Sequence, residues 1–120
     1  MDNSQKTKTY DLEQRTLEYA KRIIRLCKNI SGNIENNILS NQLMRSGTSL
    51  GANYREANET VTKKDFSFRM RICRKEAKET IYWLQLVIEA NPSLEKRVVP
   101  LLQETGELLK IFAAIIEKTK

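Results

Sequence analysis

The 120-residue sequence contains no histidine, and it has only 4 glycines, 2 prolines and 2 cysteines. Without histidine, the chain has no imidazole base, no Ser-His pair and no histidine metal ligand. So few turn-forming residues argue against a many-stranded β fold, and 40% hydrophobic residues are too many for a disordered tail. The composition therefore predicts one small all-α domain.

Long hydrophobic stretches are also missing. No run reaches the roughly 18 apolar residues that span a bilayer, and the polar N-terminus lacks the apolar stretch of a signal peptide. We expect a cytoplasmic protein with no membrane contact. Cys27 and Cys73 fall on apolar stripes of helical patterns, and two thiols do not close a zinc site, which predicts reduced packing residues and no metal or cofactor.

Hydrophobic periodicity predicts a flexible segment at residues 1–10 and a single domain of four helices at 11–120. A capping-box pattern at Asp11 and Gln14 predicts the start of the first helix, and Ser31, Gly32 and the Asn-rich stretch after them predict its end. The predicted inward-facing residues are Leu12, Thr16, Tyr19, Ile23, Leu26 and Ile30 in the first helix, and Leu39, Leu43, Ser46, Leu50, Asn53, Ala57 and Val61 in the second.

The third helix is predicted to begin after the capping-box pattern Thr62-x-x-Asp65 and to end at Asn91-Pro92. For the fourth, Pro100 lies either in the first turn or inside a longer helix that begins near Leu94. The predicted inward-facing residues are Phe66, Met70, Cys73, Ala77, Thr80, Leu84 and Val87, followed by Leu101, Thr105, Leu108, Phe112 and Ile115. Short connections favour an antiparallel up-down-up-down bundle.

A second apolar stripe lies on the third helix, at positions roughly opposite the first at 100° per residue. It contains Phe68, Ile72, Trp83, Leu86 and Ala90, and we interpret the first four of these as candidate subunit-interface residues. The stripe predicts a homo-oligomer; the alternative is an unremarkable surface.

Two glycines four residues apart, Gly47 and Gly51, fall inside the second predicted helix, where each costs up to about 1 kcal/mol relative to alanine. Close approach of a neighbouring helix would explain them, and no phosphate-loop motif surrounds them. Ser46 and Asn53 belong to the same helix-packing motif and fall among the predicted core positions of the second helix. Both need hydrogen-bond partners there, and a buried Asn53 would specify the helix register.

Positive charge is concentrated in residues 61–80, which contain seven Lys or Arg against three acids. Five cations share one side of the third helix over about 21 Å, and an aromatic residue continues that side. These nucleic-acid-binding candidates are Lys64, Arg71, Arg74, Lys75, Lys78 and Tyr82. One interpretation is a solvated face balanced by Glu76, Glu79 and acids of neighbouring helices; the other is binding to the backbone of RNA or DNA, with RNA favoured.

Catalysis has little support in the sequence. Glu76 and Glu79 lie one turn apart, but a metal site in a helical bundle normally adds Glu-x-x-His motifs. Ser46 and Ser49 have no activating histidine or Ser-x-x-Lys pattern. The sequence therefore predicts a non-enzymatic oligomer that binds nucleic acid, or alternatively a protein-binding or structural adaptor.

The blocks QLMRSGTSLGANYREA (42–57) and TKKDFSFRMRICRKEAKETIYWLQLV (62–87) closely resemble the family encoded by intervening sequences in bacterial 23S rRNA genes, the S23-like family. The resemblance extends over nearly the whole chain. It implies an antiparallel four-helix bundle assembled into a ring, commonly a homopentamer. The accessory variability determinant of diversity-generating retroelements is similar in fold and works with nucleic acid. The resemblance implies association with RNA but supplies no activity.

Overall fold

Four long helices make up the fold. In the computed structural model, residues 4–120 are described, with side chains from Leu12 onward. The helices are α1 (Ser4–Lys28), α2 (Ile34–Asn58), α3 (Lys63–Ala90) and α4 (Glu95–Lys118), and a 3₁₀ turn at Pro92–Leu94 precedes α4. Residues 4–120 contain no β-strand, so the all-α prediction is confirmed.

The predicted start of α1 at Asp11 is wrong, because the helix begins at Ser4. Residues 4–10 contain neither glycine nor proline, so nothing interrupts the helix before Asp11. The flexibility predicted for residues 1–10 is a separate property that stays a prediction, and residues 1–3 lie outside the described part.

The Asn-rich stretch starts α2 instead of separating two helices. Asn33 is the N-cap, and its side chain accepts a hydrogen bond from the Asn36 backbone N–H at 2.8 Å. Asparagine is among the best N-cap residues because its side-chain oxygen satisfies a free N–H of the first turn.

The predicted ends of α3 are confirmed, and one of the two alternatives for α4 is correct. Thr62 caps α3 by accepting from the Asp65 backbone N–H at 3.0 Å, and Asn91 follows its last residue. Pro100 lies inside α4, which begins at Glu95.

The core follows most of the predicted stripes. Ile30 and Phe66, which were predicted to face inward, are only partly buried at its edge. Further differences lie in α2 and α4. Asn53 is only half-buried, and Tyr54 is buried in its place. Spacings of three and four residues from Leu50 fit the same side of the helix equally well, and burial of tyrosine removes more apolar surface from water. Val61 is 97% exposed, since α2 ends before it. Ile116 rather than Ile115 is fully buried in α4.

Helices α1 and α3 each contact both α2 and α4. Contacts between α2 and α3 join Asn36 to Asn91, and Ser46 to Thr80, so residue numbers rise along one helix as they fall along the other. The two amides form reciprocal hydrogen bonds of 2.9 Å at one end of the bundle. Across α1 and α4, the buried hydroxyl groups of Tyr19 and Thr105 are hydrogen-bonded.

Candidate nucleic-acid interface

The five predicted cations of α3 lie on the side of the helix away from the core. Lys64, Arg71, Lys75 and Lys78 are exposed, and Arg74 is half-buried. Tyr82 is 55% exposed and extends the same side toward the C-terminal end of α3. The structure thus presents all six together, as the basic face.

Two acids of α3, Glu76 and Glu79, are bound to α2, and most cations of the basic face form no ion pair among the described side chains. Arg45 of α2 forms ion pairs with Glu79 and, at 3.2 Å, with Glu76, whose side chain is only 9% exposed. The Lys75 ammonium group reaches the Glu76 carboxylate at 3.9 Å. The other four cations of the basic face form no ion pair within 4.0 Å among the described side chains. The proposed balance by Glu76 and Glu79 is therefore absent for those four.

One acid of α4 lies close enough to influence the edge of the basic face. The pKa of Glu117 is lowered chiefly by its hydrogen bond with Lys120, and to a smaller extent by the charges of Arg74 and Arg71. Glu117 is exposed, so water screens this attraction.

A cationic cavity opens where α3 begins and α4 ends. Its volume is about 540 Å³, and its lining consists of Lys63, Lys64, Ser67, Phe68, Arg71, Thr119 and Lys120. Phe68 was predicted from the sequence as an interface residue, and the structure places it among these cations, 61% exposed. Lys63 was not among the predicted cations.

The remaining interface candidates are partly covered by the chain itself. Trp83 and Leu86 pack against the core, and Ile72 is half-buried. The Trp83 indole N–H donates to Glu79 at 3.0 Å, and its ring meets that of Tyr82 edge-on at 5.1 Å. These residues lie at the edge of the core rather than opposite it, because α2 covers that side of α3.

Leu86 also lines an apolar groove between α2 and α3. This α2–α3 groove has a volume of about 400 Å³ and is lined by Glu35, Ile38, Leu39, Leu86, Glu89 and Ala90. Ile34 and Ile38, one turn apart, are exposed on α2. Neither residue was predicted to form an interface, although two isoleucines at this spacing outside the core stripe are a detectable signal.

The glycine motif of α2 lies against α1. A Cβ atom on Gly47 would lie 2.9 Å from Ile23 Cγ1, and one on Gly51 would lie 2.9 Å from Thr16 Oγ1. Ser46 is buried and hydrogen-bonds the Thr80 hydroxyl at 2.9 Å. Asn53 donates to the Ser49 carbonyl at 2.9 Å and accepts from Arg69 of α3 at 3.5 Å. It is only half-buried, so the prediction that Asn53 is buried is wrong.

The sequence model of one family, described as 23S rRNA-intervening sequence protein, matches residues 8–114. The chain belongs to this family. Among solved structures it is similar to a protein of unknown function from the S23 ribosomal protein family of Bacteroides thetaiotaomicron. The two are 36% identical, the match covers 87% of this chain and 96% of the other, and the TM-score is 0.80. No curated protein matches the chain significantly.

Within this member of the 23S rRNA-intervening sequence family, the described side chains form no cluster of three or more Cys, Asp or Glu residues that could hold a metal ion. Ser49 donates to the Ser46 carbonyl at 2.7 Å. No helix of the described chain is long and apolar enough to cross a membrane.

A cluster of arginines in this family member was missed from the sequence. Arg22 and Arg25 of α1 meet Arg97 of α4 around a small cavity of about 160 Å³. Counting charge by sequence segment does not reveal such a cluster, because α1 and α4 are far apart in the sequence.

Proposed function

We propose that the protein is a non-enzymatic, oligomeric helical bundle that binds nucleic acid, with RNA favoured, through the basic face of α3. The observation that carries this proposal is the pairing of Glu76 and Glu79 with Arg45. Because that pairing holds both acids against α2, four cations along about 21 Å of α3 form no ion pair within 4.0 Å among the described side chains.

Binding through these cations is driven by release of the counterions condensed on the nucleic acid. The affinity then falls as salt rises. For four phosphate contacts, log K against log salt has a slope of about −3 on single strands and about −3.6 on duplex DNA. Base sequence has little influence, because phosphate contacts position the protein without reading bases.

The proposal includes an up-down-up-down bundle assembled into a ring of identical subunits, with five favoured by the resemblance, and a cytoplasmic location. The opposite order of contacts along α2 and α3 supports the topology. Exposed Ile34 and Ile38 beside the α2–α3 groove provide apolar surface for a second copy. A ring would repeat the basic face on each subunit and raise the local positive potential.

A salt-titrated binding assay tests the proposal. We expect a long RNA to bind the intact oligomer at ~50 mM salt and to dissociate as salt rises with the slope above. Joint reversal of Arg71, Arg74 and Lys78 to Glu should abolish binding. Reversal of Lys28, Lys96 and Lys110, exposed cations on α1 and α4, is the matched control for net charge and should preserve most of it. Absence of binding to any long RNA or DNA at ~50 mM salt contradicts the proposal.

The α2–α3 groove favours a second candidate function, a protein-binding or structural adaptor. Its lining combines apolar residues with the acids Glu35 and Glu89, which repel a polyanion and suit a basic, apolar peptide segment. An adaptor would show no steep salt dependence with RNA, so the same titration separates the two functions.

A further inference from the structure

Phe68 is a large apolar side chain exposed among cations. It is 61% exposed and shares the lining of the cationic cavity with Lys63, Lys64, Arg71 and Lys120. Solvent exposure of an aromatic ring forgoes the free energy that its burial would provide. A ligand that covers Phe68 and carries negative charge would satisfy the ring and the cations together.

Three of the four cations have no ion pair in the described part of the chain. Lys120 binds Glu117 at 2.7 Å, whereas Lys63, Lys64 and Arg71 have no carboxylate of a described side chain within 4.0 Å. The cavity also lies at the N-terminal end of α3, where the helix dipole adds partial positive charge. Charge complementarity therefore favours an anionic occupant over an apolar protein surface.

The exposed ring of Phe68 restricts which anions fit the cationic cavity. A bare phosphate would use the cations and leave Phe68 exposed. In a duplex the bases are stacked inside and their faces are not available to a side chain, whereas unpaired bases stack on exposed aromatic residues. The volume of about 540 Å³ is within the range of about 300–1,000 Å³ that small-molecule sites occupy.

We infer that the cationic cavity receives an unpaired base of a single-stranded nucleic acid, which stacks on Phe68 while Lys63, Lys64 and Arg71 bind the flanking phosphates. This inference rests on the proposed function and adds to it a preference for single strands. It replaces the subunit-interface role that the sequence suggested for Phe68. Lys64 and Arg71 belong to both the cavity and the basic face, so the bound strand continues from the cavity along α3 toward Tyr82.

The test compares three labelled probes at ~50 mM salt by fluorescence anisotropy: a short oligo(U) RNA, an abasic oligomer of the same length, and an RNA duplex. Loss of one base–aromatic stack predicts that Phe68→Ala weakens oligo(U) binding by about 5- to 150-fold. Phe68→Tyr keeps the ring and should stay within about twofold of the original affinity. Val99→Ala, at an exposed apolar residue of α4, is the matched control and should also change oligo(U) affinity by less than about twofold.

Affinity for the abasic oligomer and for the duplex should not respond to Phe68→Ala, because neither offers an unpaired base. An equal loss on all three probes overturns the inference, since Phe68 would then act through fold or assembly. The inference is also overturned if Phe68→Ala leaves the affinity for oligo(U) unchanged, whether or not light scattering shows a change in oligomer mass. The proposed function stands in that case if reversal of Arg71, Arg74 and Lys78 still abolishes binding. Absence of binding to every probe and to long RNA or DNA overturns both.

Discussion

The guanidinium group of Arg15 on α1 binds both carboxylate oxygens of Glu104 on α4. The Nε–Oε2 distance is 2.7 Å and the Nη2–Oε1 distance is 2.8 Å. The hydrogen bond from Arg15 lowers the pKa of Glu104, although partial burial opposes this effect. The pair links the first and last helices of the bundle at a half-buried site.

Acid should weaken the bundle partly through Glu104. Its folded-state pKa lies below the unfolded value of about 4.3, so the stabilisation is complete above that pH and is lost as the pH falls through the folded-state pKa. We expect Glu104→Gln to lower the free energy of unfolding by about 1 kcal/mol at neutral pH and to make it less dependent on acid. Urea unfolding at neutral and acidic pH measures both effects. Glu56→Gln, at an exposed acid of α2, is the control; an equal change there would assign the effect to general charge.

Alanine at the glycines of α2 should destabilise the bundle. At Gly47 and Gly51 the added Cβ would lie 2.9 Å from α1 atoms, and overpacking of this kind costs about 1–3 kcal/mol. Gly106 of α4 has nothing within 4 Å of the added atom, so Gly106→Ala should instead stabilise the protein by up to about 1 kcal/mol. Thermal and urea unfolding of the three variants measures the change in the free energy of unfolding. Stabilisation by Gly51→Ala would contradict the close approach of α1.

The two cysteines should be slow to react in the folded protein. Burial raises the pKa of Cys27 to about 11 and that of Cys73 to about 12. At pH 8 the reactive thiolate is then about one part in a thousand or less. A colourimetric thiol reagent should detect both thiols rapidly only after unfolding in urea. Rapid labelling of either thiol in the native state would disprove the burial described here.

Removal of Arg45 should destabilise the contact between α2 and α3. Arg45→Ala leaves the largely buried Glu76 carboxylate with Lys75 at 3.9 Å as its remaining ion-pair partner. We expect a loss of about 1.5–3 kcal/mol in the free energy of unfolding, measured in urea. Arg55→Ala, at an exposed arginine near the end of α2, should cost less than about 0.5 kcal/mol. Glu76→Gln should recover part of the loss in the Arg45→Ala background, since it removes the largely buried charge.

The repeating spacing of apolar residues predicts most of the helices and the core. Thr62 and Asn91 mark the ends of α3 because each has a local effect on the backbone, one as a cap and the other as the residue before proline. Burial of Met70, Cys73 and Leu84 follows from their shared side of the helix. Local signals of this kind are contained in the sequence itself.

Partners on other helices were not predictable in the same way. Periodicity fixes the direction of a side chain around its own helix, but not the residue that faces it. Glu76 was therefore expected to balance the cations of α3, and nothing in the sequence indicated that Arg45 would bind it. The amide pair of Asn36 and Asn91 depends on a similar match between distant residues.

The ion pairs of Arg45 also separate charge across the width of α3. The paired acids Glu76 and Glu79 lie toward α2, while Arg71 and Lys78, which form no ion pair among the described side chains, lie on the other side of the helix. Helix α3 therefore carries its charge unevenly across its width. If nucleic acid binds as proposed, this uneven charge favours encounters in which the cationic side of α3 faces the polyanion.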